Sequence, residues 1–247
     1  MAVKDFDRVA DIYDATRSLP EREMSLLVEA LRKHVAGPGP LLDMGVGTGR
    51  FALPLQQMGV DVVGVDVSRA MVARARTKGV GGLVFADVRR TPFRDRSFEA
   101  ALLVHVLHLV GDWARVIEEA ARVARVNVIS VVESRSGTSV REEYLRLRNR
   151  MGYPLARFGE WSLSRRVKPL AVSLVAEFQT TMEADREIEH LLKRGQSLTW
   201  DVPESAHAEI IGALRSRHGG KRLRAKESVR LIVWSADRLR EADLRHK

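Results

Sequence analysis

The sequence predicts an α/β fold with a doubly wound parallel sheet that is covered by helices on both faces. Short apolar segments alternate with helical segments of about ten residues between positions 41 and 134, which is typical of βαβ units. A glycine-rich turn, "DMGVGTG", follows the first apolar segment, and three of these segments carry an aspartate close to their carboxyl end. The 247 residues, 45% of them hydrophobic, suffice for one large domain or for a core with an insertion.

The first half of the chain supplies the elements that define this fold. A polar lead-in, residues 5–17, precedes a helix over residues 21–35, in which Met24, Leu27 and Leu31 recur at helical spacing. The segment "AGPGP" ends this helix. The predicted elements that follow are the strand "LLDM", the helix "RFALPLQQMG", the strand "DVVGVDVS", the helix "RAMVARARTKG", the strand "GLVFADV", the strand "FEAALLVHVL", the helix "DWARVIEEAARVA" and the strand "VNVISVVES".

The pattern changes after residue 134. Residues 1–134 are expected to hold the N-terminal helices and the ligand-binding core, and residues 135–169, which are charged, predict a helical insertion or cap after the fifth strand. Residues 170–247 complete the same domain with the last strands. Aromatic residues of the second half either line a substrate pocket or form a small core of their own; they are Tyr144, Tyr153, Phe158, Trp161 and Trp200.

Composition excludes several classes of protein. The chain has no cysteine, which excludes disulfides, thiolate nucleophiles and cysteine-ligated zinc or iron–sulfur centres. No leader pattern and no apolar run of about 18 residues is present, so we expect a cytoplasmic protein with no membrane partner. The net charge of +9 would suit nucleic acid, but the basic residues are dispersed along the chain, which favours a solubilising surface.

The glycine turn after the first strand is typical of a loop that lies close to a nucleotide-like ligand. Gly45, Gly47 and Gly49 are spaced one residue more tightly than in a dinucleotide loop, and no Lys-Ser/Thr pair follows, as a phosphate loop requires. Asp43, at the end of the strand, would repel pyrophosphate and suits a cationic ligand. A tight turn that binds no ligand stays the alternative.

Two further acids follow the next two strands. Asp66, 17 positions beyond Gly49, can accept hydrogen bonds from both hydroxyls of a ribose. Asp87 can accept one from an exocyclic amine such as that of adenine, beside the backbone N–H of Val88. Because the carboxyl ends of parallel strands share one edge of a sheet, we expect these acids to form one nucleoside site.

Together these motifs resemble the class I S-adenosylmethionine-dependent methyltransferases, and most of all the small-molecule group related to the menaquinone and ubiquinone biosynthesis enzymes. The resemblance is carried by "LLDMGVGTGR", "VVGVDVS", "FADVRRTPFRDRSFEAALLVHVLHLV" and "DWARVIEEAARV" and covers residues 5–134. It implies a Rossmann-like, mostly parallel seven-stranded sheet with one antiparallel strand near the edge, which fits a last strand at 228–236. It also implies methyl transfer from S-adenosyl-L-methionine to a small-molecule acceptor.

The resemblance implies roles for residues around the glycine turn. Asp43 and the backbone of Gly45, Val46 and Gly47 would hold the methionine portion of the cofactor. His105, just after the fourth strand, would contact the methionine end or the substrate.

For the adenosine portion, the resemblance implies that Asp66 binds the ribose and that Val67 lies beside the adenine. Asp87 and Val88 would meet the edge of the adenine ring.

Two lead-in residues and one departure complete the comparison with this family. Tyr13 matches an aromatic residue that closes over the cofactor in relatives, and Arg17 would meet the cofactor carboxylate. Relatives join the helix to the fifth strand through a turn with proline and glycine, whereas "ARVARVNVIS" has neither. Because this turn lies away from the expected ligand, we interpret the departure as structural.

The chemistry left open by the motifs is limited. His105 is a candidate general base, His108 is expected to pack or lie at the surface, and no third ligand supports a metal site. His190, His207 and His218 are expected at the surface. The alternatives are an RNA or protein methyltransferase that docks through its basic surface, or a nucleoside-binding module without catalysis; a dinucleotide oxidoreductase is least favoured.

Overall fold

The computed structural model describes residues 6–7, 10, 13–14, 19–35, 37, 39–137, 139–155 and 158–244. Within these residues, seven strands form one sheet. The strands are β1 (Leu41–Met44), β2 (Val62–Asp66), β3 (Leu83–Phe85), β4 (Phe98–Val104), β5 (Ala124–Gly137), β6 (Ala171–Glu183) and β7 (Arg222–Ser235). The helices are α1 (Glu21–Lys33), α2 (Ala52–Gln57), α3 (Arg69–Thr77), α4 (Trp113–Val123), α5 (Val140–Arg150), α6 (Glu160–Arg166), α7 (Ala184–Leu192), α8 (Glu204–His218) and α9 (Ala236–Glu241).

The strand order places a switch point at the centre of the sheet. The order is β3-β2-β1-β4-β5-β7-β6, so the chain runs from β1 towards one edge and then returns to start β4 on the other side of β1. The pairings of β1 with β2 and β4, of β2 with β3 and of β4 with β5 are parallel. Their carboxyl ends therefore lie at one edge of the sheet, where open α/β sheets bind ligands. The predicted seven-stranded, Rossmann-like α/β fold is confirmed, and the antiparallel edge strand stays a prediction.

The centre of the sheet is covered on both sides. All four residues of β1 are buried, and side chains alternate between the faces of a strand, so apolar groups must pack against each face. This burial pattern is the one expected of a parallel sheet between two layers of helices. None of the described helices has the length and apolar character that crossing a membrane requires.

The chain divides into two compact units. The first comprises Met1–Val132, Phe158–Ala176 and Val229–Lys247, and the second comprises Glu133–Arg157 and Glu177–Ser228. Within the predicted insertion, residues 135–169, α5 belongs to the second unit and α6 to the first. The division of the chain at residues 134 and 169 stays a prediction.

The second unit has its own apolar core, formed by α5, α7 and α8. Tyr144 is buried in it, and its hydroxyl lies 2.7 Å from Nδ1 of His207. Nε2 of His218 lies 2.5 Å from the carboxylate of Glu143, and both of these side chains are buried. The expected surface positions of His207 and His218 are therefore wrong, because each histidine satisfies a buried polar partner that apolar residues could not.

A buried glutamate on α4 fixes the loop after β3, which carries Asp87. Oε1 of Glu119 accepts hydrogen bonds from the backbone N–H of Thr91 at 2.7 Å and from its hydroxyl at 2.6 Å. Arg122 completes the arrangement with 2.7 Å and 2.9 Å bonds to the two carboxylate oxygens. Burial raises the pKa of Glu119, but the bonds from Arg122 and Thr91 outweigh burial and hold that pKa below its usual value.

Replacing Glu119 with alanine should lower the free energy of unfolding by about 3 kcal/mol at pH 7, because Thr91 and Arg122 lose a buried acceptor. Glu118→Ala is the matched control. That neighbouring carboxylate is partly exposed, and its ion pair with Arg115 is long, at 3.9 Å. Its loss should therefore cost under about 1 kcal/mol. Urea unfolding of both variants measures the difference, and equal losses would contradict the role given to Glu119.

Candidate functional site

A pocket of about 650 Å³, counting the open space at its mouth, lies at the carboxyl ends of the central strands. Its apolar walls include Phe6, Leu109 and Val110. Most of the residues that the sequence predicted for the site line this pocket; they are Tyr13, Gly45, Gly47, Asp66, Val67, Asp87, Val88 and His105. The pocket lies within the first unit.

Two further predicted residues do not line the pocket. Asp43 and Val46 are buried and do not line the pocket. The side chain of Val46 packs on Gly64 of β2, where a Cβ would lie 2.7 Å from Val46 Cγ2. The Val46 side chain is therefore not available to a ligand, and a backbone contact of Val46 with a ligand stays a prediction. Arg17 lies outside the described residues.

The glycine turn leaves bare backbone at the floor of the pocket. Gly45 and Gly47 have φ angles of +86° and +54°, a region that favours glycine. A Cβ on Gly45 would lie 2.6 Å from Val106 Cγ2, whereas a Cβ on Gly47 would meet nothing closer than the Gly45 carbonyl at 4.0 Å. A side chain at Gly47 would therefore enter the pocket rather than clash with protein, and glycine keeps that space for a ligand.

Asp66 connects the end of β2 to the glycine turn. Its Oδ2 accepts a hydrogen bond from the backbone N–H of Gly47 at 2.9 Å, and its Oδ1 accepts one from the N–H of Ser68 at 2.8 Å. Burial raises the pKa of Asp66 despite these bonds. Sequence reasoning predicted Asp66 as a ligand-binding acid but missed that it also holds the glycine turn in shape.

A second buried acid lies beneath the turn. Asp43 is only 2% exposed, and burial, followed by repulsion from the Asp66 carboxylate, raises the pKa of Asp43 to about 7. Two neighbouring carboxylates in a poorly solvated place repel each other when both are ionised, and a cation close to them would relieve that repulsion. The floor of the pocket should therefore attract a cationic group.

Asp87 is held by a partner that the sequence did not indicate. The guanidinium of Arg89 lies against both carboxylate oxygens, with Nε 3.0 Å from each, and the N–H of Arg89 donates to Oδ1 at 2.9 Å. These bonds from Arg89 hold the pKa of Asp87 below its usual value. Asp87 is therefore ionised at neutral pH and presents only acceptors to the pocket.

His105 follows β4 with a φ of +57°, a left-handed conformation that is uncommon for a residue with a side chain. Its ring centroid lies 6.1 Å from that of His108, in an edge-to-face arrangement. Strained residues of this kind concentrate at functional sites. Among the residues that the structure describes, no group of three histidine or carboxylate side chains could hold a metal ion.

Four residues of the lead-in form what we call the N-terminal strap: Phe6, Asp7, Tyr13 and Asp14. The rings of Phe6 and Tyr13 line the pocket and meet edge to face, 6.4 Å apart. The strap therefore supplies one wall of a pocket whose floor belongs to the sheet.

Carboxylates at two points bind the strap to the core. Asp7 accepts from the Ser68 hydroxyl at 2.5 Å, at the start of α3. Asp14 accepts from the Thr48 hydroxyl in the glycine turn at 2.5 Å and pairs with Lys78 at 2.5 Å. Lys78 also donates to the Thr48 carbonyl at 2.8 Å. Sequence reasoning named only Tyr13 here; the one available signal was the repeated aspartates of "DFDRVADIYDATR".

Known proteins resemble this chain in sequence and in fold. Residues 42–132 match the family model described as "Methyltransferase domain". A demethylmenaquinone methyltransferase from Roseiflexus castenholzii is 33% identical over 173 residues, which cover 67% of this chain and 67% of that protein. A malonyl-[acyl-carrier protein] O-methyltransferase from Legionella pneumophila is 32% identical over 50% of this chain and 46% of that protein.

Among solved structures, the YcgJ protein from Bacillus subtilis superimposes with a TM-score of 0.55, at 19% identity, over 87% of this chain and 98% of that chain. This similarity supports the fold. The chain aligns with 67% of the length of the Roseiflexus castenholzii protein and with 46% of the length of the Legionella pneumophila protein.

Asp43→Asn should stabilise the protein above pH 7. The folded-state pKa of Asp43 is about 7, against an ordinary value of 3.8, so the folded state binds the proton more tightly than the unfolded state does. Stability should therefore fall as pH rises from about 4 to 7, and the neutral asparagine should remove this loss, of the order of 2–4 kcal/mol above pH 8. Urea unfolding between pH 4 and 9 measures it.

The control for this substitution is Asp61→Asn, which changes an exposed acid just before β2. Because this side chain is exposed, the substitution should change the free energy of unfolding by less than about 0.5 kcal/mol at pH 8. An Asp43→Asn variant whose stability follows the wild-type pH profile would show that Asp43 ionises normally in the folded protein.

Proposed function

Because this chain belongs to the class I S-adenosylmethionine-dependent methyltransferase family, we propose that it transfers a methyl group from S-adenosyl-L-methionine to a small-molecule acceptor. The observation that supports this most directly is the pocket floor, where the glycine turn meets two carboxylates, the buried Asp43 and the partly buried Asp66. A cofactor that carries an ammonium and a sulfonium would relieve the repulsion between these carboxylates.

The glycine turn fits the methionine portion of this cofactor. The space that a Cβ of Gly47 would fill is open to the pocket, so ligand atoms can approach the backbone from Gly45 to Gly47 closely. Asp43 is buried behind this turn and does not line the pocket. It would therefore stabilise the positive charge of the cofactor electrostatically, without direct contact. We therefore assign the methionine end to Asp43 and the Gly45–Gly47 backbone.

The adenosine portion fits the ends of β2 and β3. Each oxygen of Asp66 accepts one backbone N–H, and a carboxylate oxygen has a second lone pair, so both can also accept ribose hydroxyls. Asp87, which its pairing with Arg89 keeps ionised, would accept a hydrogen bond from the exocyclic amine of adenine. Val67 and Val88 line the pocket as apolar surfaces for the ring.

The chain's own contribution to catalysis is alignment and exclusion of water. S-adenosyl-L-methionine supplies a methyl group that a positively charged sulfur has already activated. Phe6, Tyr13 and the pocket walls would orient the acceptor for in-line attack. His105 lies on the pocket wall and would accept a proton from an acceptor that must lose one.

An acceptor of small size is supported by the walls nearest the strap. Phe6, Leu109 and Val110 give the pocket apolar surface, which suits an organic molecule. Arg89 is paired with Asp87, and the basic residues are dispersed along the sequence rather than gathered in one block, which favours a small molecule over RNA.

Asp66→Ala should weaken binding of S-adenosylhomocysteine and S-adenosylmethionine by about 100-fold, because charge-assisted hydrogen bonds of about 1.5 kcal/mol each are lost and the glycine turn loses its support. Isothermal titration calorimetry measures the affinities. Asp61→Ala, at the opposite end of β2 and exposed, is the matched control and should bind as the wild type does.

The Asp66→Ala variant also tests methyl transfer. With methyl-labelled S-adenosylmethionine and a cell extract separated into small molecules, RNA and protein, label should enter the small molecules and should fail to do so with Asp66→Ala. Label confined to RNA or protein would replace the small-molecule acceptor with a macromolecule. Tight binding without transfer to any fraction would indicate a nucleoside-binding module.

Lys78→Met should speed dissociation of S-adenosylhomocysteine by roughly twofold to tenfold, because its half-exposed ion pair with Asp14 of the strap and its hydrogen bond to the Thr48 carbonyl are worth about 0.5–1.4 kcal/mol. Asp14→Asn should have a similar effect, and the double variant should add little. Stopped-flow displacement measures the rate. Lys33→Met, an exposed lysine on α1, is the control; fully additive effects of Lys78 and Asp14 would contradict the coupling.

A further inference from the structure

The strand at one end of the sheet order, β6, has an uncharged and apolar first half. Residues 170–176 read "LAVSLVA", and we call this stretch the apolar edge window. Within it, Leu170, Val172 and Leu174 are 52%, 46% and 54% exposed. Because side chains alternate along a strand, these three share one face and form a continuous exposed apolar row.

Other strand edges of this protein are protected against association. The strand at the opposite end, β3, has only three residues, and a very short edge strand offers little to pair with. The second half of β6 exposes Glu177, Gln179 and Glu183, which is the charged, polar surface that natural edge strands present. Only the apolar edge window has neither form of protection.

We propose that the apolar edge window is the interface of a homodimer, in which β6 of two copies pair antiparallel about a twofold axis at Val172. Leu170 then faces Leu174 of the second copy, and Val172 faces Val172. Six apolar side chains come together on one face, and the two sheets become one continuous sheet. This inference stands independently of the proposed methyl transfer.

The backbone direction within β6 agrees with this pairing. The N–H of Leu170 donates to the Val233 carbonyl of β7 at 2.7 Å. Because backbone groups alternate in direction along a strand, the N–H groups of Ala171 and Ser173 should face the outer edge. In the proposed register Ala171 faces Ser173 of the second copy, so these outward groups form the hydrogen-bonded pair.

Charge favours the antiparallel arrangement and a second copy as the occupant. The window has Lys168 on one side and Glu177 on the other. An antiparallel pair places Lys168 of each copy opposite residue 176, beside Glu177 of the second copy, whereas a parallel pair would place lysine against lysine. Glu177 also pairs with Lys226 of its own chain at 2.7 Å, so opposite charges alternate at both ends of the interface.

Light scattering coupled to size-exclusion chromatography tests the dimer. The wild type should show twice the chain mass of 27.7 kDa, and Val172→Lys should show the single mass, because it places two lysines opposite each other across the axis. Leu26→Lys is the control, since Leu26 is 44% exposed on α1 and outside the window; it should stay dimeric. Circular dichroism checks that each variant is folded.

Cysteine crosslinking tests the register, because the chain has no cysteine of its own. Val172 should be a non-hydrogen-bonded pair with Cα atoms about 4.5 Å apart, a separation that a disulfide spans. Val172→Cys should therefore form a covalent dimer on mild oxidation. Leu174→Cys alone should not, whereas a mixture of Leu170→Cys and Leu174→Cys should give the mixed dimer.

Several results would overturn the proposal. These are a monomeric wild type, a Val172→Lys variant that stays dimeric, or a Leu174→Cys variant that crosslinks to itself as readily as Val172→Cys. If Val172→Lys does not fold, the rate of crosslinking of folded Val172→Cys relative to folded Leu174→Cys decides.

Discussion

The hydrogen bond from the Gly47 N–H to Asp66 Oδ2 is the constraint on which the site depends. It joins the end of β2 to the turn after β1 across 19 residues of sequence, and it holds the turn in the left-handed conformation that exposes its backbone. The same carboxylate lines the pocket. One acid thus shapes the turn and presents acceptors to a ligand, so the floor is formed before any ligand arrives.

The two neighbouring acids lower the free energy of unfolding. Asp43 and Asp66 are both poorly solvated, and the Asp66 carboxylate raises the cost of ionising Asp43. A fold selected for stability alone would place apolar or amide groups here. Keeping two acids at the switch point exchanges stability for attraction of a cation, which is the trade expected at a functional site.

Sequence predicted the features that depend on strand order along the chain. The carboxyl ends of parallel strands share an edge, so alternation of strands and helices predicted that Asp66 and Asp87 lie at one pocket, whereas the side chain of Asp43 is buried and does not line it. It could not indicate the bonds of Asp14 to Thr48 or of Asp7 to Ser68, which join residues 34 and 61 positions apart, nor the burial of His207 and His218. Those depend on packing between distant segments, for which local periodicity carries no signal.

The site combines a rigid floor with a weakly held wall. The floor rests on β1, whose side chains are all buried, so it cannot move without opening the core. The strap is held by half-exposed carboxylates, of which Asp14 and its partner Lys78 are solvated, and such contacts are worth about 1 kcal/mol or less each. The floor is therefore held by the core of the sheet, whereas these contacts of the strap are each weak.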